Sequence, residues 1–267
     1  MVAWVVWLAG LPSLEAQNRK NYSILNDFPL FWDPELLARG TYRPIWRPDM
    51  PSRFGVLPRR GGDVRWFEAS ATYVLHFINA YEDGTTIVVD GYFQEDPMPR
   101  PDPADGPWGP LKKMVDVHAM RAKPHRWRLD LATGACTEER LFDDISEFPS
   151  IHYARPGRRH RYVWSMTAPP GWFLFDGLVR YDLDTGNTDR YHFPDGIYAS
   201  ESPMAPAGGT REDDGWLVTF TTDAVRDRSE CQIFDAAHIA DGPVARVALP
   251  ARISSGTHAC WAPGSTP

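Results

Sequence analysis

Two histidines and two glutamates recur along the chain at intervals that suit one shared chemistry: His76 in YVLHFINAYEDG, Glu147 in SEFPSI, Glu201 in SESPMAP and His258 in GTHACW. Imidazole is a good ligand for iron, copper, nickel or zinc, and a metal-bound histidine usually passes its other ring N–H to a carboxylate that fixes the tautomer. Two imidazoles and two carboxylates therefore have the composition of a metal centre with its supporting acceptors. A solitary histidine among aromatics is ordinarily a satisfied core residue. What sets His76 and His258 apart is their spacing from the glutamates, 71 residues from His76 to Glu147 and then 54 and 57. The other histidines, His118, His125, His152, His160, His192 and His238, fall in apparent loops or basic turns such as RPGRRHR and read as solvated surface. The paired carboxylates Asp143/Asp144 and Asp213/Asp214 read the same way. No GxSxG elbow, P-loop, HExxH or Rossmann glycine pattern offers a competing site.

The elements that must position these residues are strands. Tryptophan, tyrosine, proline and glycine are plentiful (11, 10, 25 and 21), and no segment sustains apolar residues at helical spacing for three turns, which predicts an all-β chain. TYVLHFINAYEDGTTIVVDGYF reads as two strands about an Asp-Gly turn, with RYVWSM, LVRYDL and GWLVTFTTD as further strands; DPELLARG alone reads as a helix. Equivalent features return at the length of a four-stranded propeller blade: Asp130 in RLDLATG, Asp182 in RYDLDTG and Asp235 in IFDAAH are 52 and 53 apart, and Trp164 and Trp216 are 52 apart. Each DLxTG is a tight turn, with Gly134 and Gly186 at the positive φ it demands. The innermost strands of a propeller line its channel, so residues at equivalent places on them converge on the axis. Residues 95 to 110 hold six prolines and read as an extended loop between strands, making the stretch from His76 to the first repeat an inserted blade.

The bulk composition narrows the function. At 267 residues and 43% hydrophobic content there is ample material for a core. A net charge of -7 supplies no basic stripe for phosphate, so nucleic acid is not a partner. Cys136, Cys231 and Cys260 are an odd set without CxxC spacing, which predicts a reducing, cytoplasmic setting, with Cys260 a buried free thiol. The opening MVAWVVWLAGL is too short to span a bilayer and lacks a basic flank; it reads as a buried strand, an interfacial anchor with peripheral membrane contact, or a start foreign to the fold.

NDFPLFWDPELLARG, PSRFGVLPRRGG, RWFEASATYVLHFINAYEDG, SEFPSIH, FDGLVRYDLDTG, EDDGWLVTF and GTHACW resemble, in order and spacing, the C-terminal half of carotenoid cleavage oxygenases, with most likeness to the bacterial lignostilbene-type members. The resemblance spans nearly all of the chain after residue 20. It implies a seven-bladed β-propeller, of which about four blades are present over residues 21–267, with residues 1–20 divergent. It implies Fe(II) held by four histidines, three of them backed by glutamates. Carried over, His76 matches the third ligand and Glu147 its partner, while His258 matches the fourth and Glu201 its partner. The second ligand would fall near Leu14, where SLEAQNRK stands in place of a Met-His-Asp sequence. The implied chemistry is cleavage by O₂ of a conjugated double bond in an apolar carotenoid, apocarotenoid or stilbene, giving two carbonyl products. Trp164, Trp172, Phe173 and Phe175 are candidates to line the substrate tunnel, or else propeller core. With two of four ligands, the chain is expected to hold Fe(II) weakly, show little activity, and self-associate through open blade edges. The other readings are a non-catalytic propeller fragment that binds apolar ligands or protein partners, and a metal hydrolase on a propeller.

Overall fold

The computed structural model describes residues 21–40, 44–171, 174–254 and 258–262; the apolar start, including Leu14, and Trp172 and Phe173 lie outside them. In chain order the elements are β1 (Tyr22–Asp27), β2 (Leu30–Trp32), α1 (Pro34–Ala38), β3 (Pro44–Trp46), β4 (Ser52–Pro58), β5 (Arg65–Ala69), β6 (Phe77–Asp83) and β7 (Thr86–Gln94). There follow α2 (Gly109–Met114), α3 (Val117–Met120), β8 (Ala122–Asp130), β9 (Cys136–Arg140), β10 (Glu147–Ser150), β11 (Tyr162–Thr167), β12 (Gly177–Asp182) and β13 (Thr188–His192). The last strands are β14 (Ile197–Ala199), β15 (Met204–Pro206), β16 (Gly215–Asp223), β17 (Arg228–Asp235) and β18 (Pro243–Ala248). All strand pairs are antiparallel, and they form consecutive meanders: β1-β4-β5, β6-β7-β8-β9, β10-β11-β12-β13, and β14/β15-β16-β17-β18. These are the four blades of a partial propeller. The β2-β3 hairpin is an excursion from the first.

Burial grades outward within each blade, and the sequence explains it. In β7, Ile87, Val88, Val89 and Tyr92 are buried, as β-branched and aromatic residues buried on both faces should be. In β8 the pattern alternates, with Trp127 and Leu129 inward. The outermost strands β9, β13 and β18 are largely polar or exposed, which keeps their unpaired edges solvated. Blades pack through two aromatic cores. Phe54 meets Trp127 with ring centroids 5.2 Å apart between the first and second blades. Between the third and fourth, buried Trp164 donates from Nε1 to the Ala236 carbonyl at 2.8 Å.

The repeated aspartates do one job. Asp130, Asp182 and Asp235 each end the third strand of a blade, and each accepts the amide two residues on, from Ala132, Asp184 and Ala237 at 2.7, 3.1 and 2.8 Å. Gly134 and Gly186 take positive φ, 83° and 74°. The matching period of the tryptophans reflects strand position only: Trp164 is buried, whereas Trp216 is exposed.

Several expectations are corrected. The stretch from His76 to Asp130 is one ordinary blade, because His76 abuts β6 and Asp130 ends β8 of the same sheet. The proline-rich segment is an insertion between β7 and β8, and it is not extended throughout. Asp102 and Asp116 cap a 3₁₀ turn (Pro103–Trp108) and α3, so DPELLARG is not the sole helix. His160 and Asp213 are buried, not solvated, because each finds charged partners on other strands. Cys260 is exposed, not buried; all three cysteines are free. Among the described residues no helix is long and apolar enough to cross a membrane.

Arg161 grips Asp182 through two hydrogen bonds of 2.9 and 2.7 Å, and this holds the Asp182 carboxyl far below the usual range. Burial works the other way on Asp213, but its bonds to Arg211 and the charges of Arg211 and Arg180 prevail and lower it too. A carboxylate whose folded pKa is depressed adds stability that is full above its unfolded value, about 3.9, and is lost as pH falls through the folded one. Burial lowers the pKa of His160, so its protonation favours the unfolded chain once pH drops below about 6.5. Urea unfolding of the wild type and Asp182→Asn is expected to differ constantly above about pH 5 and to differ less and less as pH falls below about 4. A difference that persists unchanged to pH 3 would refute the Asp182 contribution.

Candidate metal centre

His76 immediately precedes the inner strand β6, and its carbonyl accepts from the Tyr92 amide of β7 at 3.4 Å. Gly91 lies beside it, where a Cβ would crowd the Phe77 ring at 3.1 Å and the Val74 side chain at 3.2 Å. Glu147 opens β10, the inner strand of the next blade. It is fully buried, and its Oε2 lies 2.8 Å from His76 Nδ1 while also accepting the Phe148 amide at 2.9 Å. Glu201 sits in the break between β14 and β15, and His258 lies beyond β18. His258 Nδ1 is 3.5 Å from Glu201 Oε2, which accepts the Ala259 amide at 2.8 Å. The structure brings all four predicted residues together: the two imidazole centroids are 5.5 Å apart at 74°.

A family model described as retinal pigment epithelial membrane protein matches residues 20–263. The chain belongs to this family, that of the carotenoid cleavage oxygenases. It is similar to isoeugenol monooxygenase of Pseudomonas nitroreducens, 31% identical over 91% of this chain and 53% of the relative. It is also similar to the carotenoid 9,10(9',10')-cleavage dioxygenase 1 of Pisum sativum, at 30% over 90% and 47%. Among solved structures, a mutant of Synechocystis apocarotenoid oxygenase aligns with a TM-score of 0.80 at 26% identity, covering 91% of this chain and 51% of that one. Lignostilbene dioxygenase of Pseudomonas brassicacearum aligns at 0.76 and 27%, covering 91% and 53%. The chain spans about half the length of the curated relatives it matches.

In this carotenoid oxygenase chain the surroundings tune the histidine. Burial alone would lower the pKa of His76, but the bond from Glu147 and the charges of Glu147 and Glu201 outweigh it and raise it. Burial also pushes the Tyr73 and Tyr92 phenols up, and the Glu147 charge adds to both, so neither ionises near neutrality. The donor set suits a first-row ion. Each Nδ1 faces a carboxylate, which leaves Nε2 of both rings for a metal, the arrangement by which supporting carboxylates orient metal-binding histidines. Two imidazoles on one ion, at about 2.1 Å per bond, have centroids within roughly 6.5 Å, and this pair satisfies that bound. Among the described residues no group of three or more His, Cys, Asp or Glu side chains converges as a ligand set.

Phe148 was not legible as a site residue. Its backbone takes φ 55°, in the left-handed region uncommon for a bulky side chain, and its ring lies beside both imidazoles, 4.4 Å from His76 and 5.3 Å from His258. Phe175 backs it at 4.8 Å. A position beside a predicted ligand partner was the available signal; the φ was not. Trp164 and Phe175, candidates for a tunnel wall, are buried in the core, and Phe175 alone reaches the site through Phe148.

Proposed function

We propose that His76 and His258 are two ligands of Fe(II) in an oxygenase that cleaves a conjugated carbon–carbon double bond of an apolar carotenoid, apocarotenoid or stilbene. One O₂ is consumed and each alkene carbon leaves as a carbonyl, so the atoms balance without a further reductant. The observation that carries this reading is the convergence of two His–Glu pairs from separate blades on one axis, 5.5 Å apart, in a chain of the carotenoid oxygenase family. Iron, when bound, supplies the activation of dioxygen.

The chain's own residues hold and shape. Glu147 fixes the ring orientation of His76 and keeps its proton on Nδ1, while Glu201 and the Ala259 amide anchor the segment carrying His258. Phe148 and Phe175 wall the site with apolar surface, which excludes water and favours an apolar substrate. Two imidazoles alone are expected to hold Fe(II) weakly. The test is anaerobic loading of the 267-residue protein with Fe(II), followed by metal analysis after gel filtration and by product analysis with an apocarotenal and a hydroxystilbene. Stoichiometric iron that survives filtration would sink the weak-binding expectation. An Fe(II) affinity, read by anaerobic titration, that is unchanged when His76 and His258 are both changed to alanine would sink the site.

A further inference from the structure

We propose that an arginine-walled cavity where loops of the third and fourth blades meet is a binding site for a phosphate group. The cavity, of about 370 Å³, is lined by Arg155, Arg159 and Arg161 of the β10-β11 loop and by Arg211, Glu212 and Asp213 of the β15-β16 loop. Its wall thus carries four guanidinium groups against two carboxylates, in a chain whose net charge is -7. Arg158, exposed on the same loop, adds a further positive charge. Like charges so concentrated repel one another, and a bound anion relieves that repulsion.

The arginines are held in place before any ligand arrives. Buried Asn79 of β6 pins their loop: its Nδ2 donates to the Arg158 carbonyl at 2.8 Å, and its Oδ1 accepts the Gly157 amide at 2.9 Å. Glu212 ties the two loops together. One of its oxygens accepts the Arg161 and Tyr162 amides at 2.7 and 3.0 Å, and the other meets Arg155 Nε at 3.0 Å. Asp182 takes Nε and Nη2 of Arg161, Asp213 takes the same pair from Arg211, and Asp184 takes Nη2 of Arg159. A guanidinium has five N–H donors, so every one of these four keeps donors for a further acceptor. The carboxylates act as pegs that fix the forks, and Asp182 and Asp184 do so without lining the cavity.

The occupant's chemistry follows. A phosphate group brings up to two negative charges and several acceptor oxygens, which guanidinium forks meet two at a time. At about 30 Å³ per water, the cavity has the room of roughly a dozen waters, enough for a diphosphate or a phosphate ester. The histidine pair lies toward the other end of the blade. Glu147 is opposite Met166 of β11, and Tyr162 beside the cavity is four residues back along that strand, about 13 Å at roughly 3.3 Å per residue. Binding needs no metal, and the proposal therefore stands or falls independently of the iron reading.

The experiment titrates metal-free protein with inorganic pyrophosphate and with citrate, an anion of similar charge without a phosphate group, at constant ionic strength and followed by calorimetry. Pyrophosphate is expected to bind at one site, about fivefold or more tightly than citrate, because the pegged forks present several donors to each phosphate. Arg159→Gln and, separately, Arg211→Gln are expected to weaken it several-fold. Both side chains are mostly exposed, and Asp213 keeps Arg180 when Arg211 is lost, so the fold is spared; the pair guards against one variant misfolding. Sedimentation with phosphatidic acid vesicles identifies the source of the phosphate. Sedimentation that pyrophosphate competes away assigns it to a lipid headgroup, and pyrophosphate binding without sedimentation assigns it to a soluble molecule. No saturable binding of pyrophosphate, or an affinity equal to that for citrate, would overturn the proposal. Pyrophosphate binding that both variants leave unchanged would overturn it as well.

Discussion

Glu147→Gln is expected to lower Fe(II) affinity about 10- to 100-fold while the chain stays folded, the usual effect of removing the carboxylate behind a metal-binding histidine. Gln preserves the volume of a fully buried side chain and can still accept the Phe148 amide, so packing is spared. What is lost is charge: the carboxylate that binds His76 Nδ1 and raises the imidazole pKa becomes neutral. A neutral amide oxygen still orients the ring but makes Nε2 a poorer donor to a cation. The pH dependence separates this role from a structural one. In the wild type, protons compete with metal for His76 below its raised pKa; without Glu147 that pKa falls and the competition weakens. The affinity ratio between wild type and variant is therefore expected to shrink as pH drops below neutrality. A ratio near one at pH 8, or a ratio that does not vary with pH, would show that Glu147 does not act through His76.

The residues that were legible in the sequence are those whose chemistry is local or periodic. Asp130, Asp182 and Asp235 marked the blade repeat because an aspartate that caps a turn needs only the amides two and three residues on. His76, Glu147, Glu201 and His258 were legible because propeller geometry turns a sequence interval into convergence on one axis. Misreadings arose where the partner lies on a distant strand. Asp213 looks like a solvated turn residue until Arg180 of β12 reaches it at 2.7 Å, and His160 like part of a basic turn until Asp90 of β7 is placed 3.6 Å away. Neither pairing has a local signal. The helical turns in the proline-rich insertion escaped notice for another reason: proline disfavours a long helix but starts a short one, and Asp102 with Pro103 begins such a turn.

Arg126→Ala is expected to destabilise the protein by about 3–5 kcal/mol, the cost of leaving a buried charge without its partner. Asp90 is fully buried in β7, and Arg126 of β8 binds it with two parallel hydrogen bonds of 2.7 and 2.8 Å. Burial opposes the guanidinium charge, yet the bond and charge of Asp90 outweigh it and raise the Arg126 pKa, so the guanidinium stays charged. At roughly 2–4 °C per kcal/mol for a chain of this size, the deficit corresponds to about 6–20 °C in melting temperature. His160 decides how the deficit varies with pH. Its Nε2 has no hydrogen-bond partner and lies 3.6 Å from Asp90 Oδ2; in the wild type, burial and the Arg126 charge favour the neutral ring. Once Arg126 is gone, Asp90 favours the imidazolium and lifts the folded pKa of His160. Because burial lowers that pKa in the wild type, lifting it lets His160 take up its proton in the folded variant at a higher pH, and the attraction of the imidazolium to Asp90 offsets part of the deficit as pH falls. The deficit of Arg126→Ala is thus expected to be smaller at pH 5.5 than at pH 8, and the double change Asp90→Leu with Arg126→Met should recover most of it, since apolar replacements of a buried pair are often neutral. Urea unfolding at both pH values measures all three. A deficit under about 1 kcal/mol would place the pair among exposed ion pairs in its worth, and a deficit equal at the two pH values would remove His160 from the account.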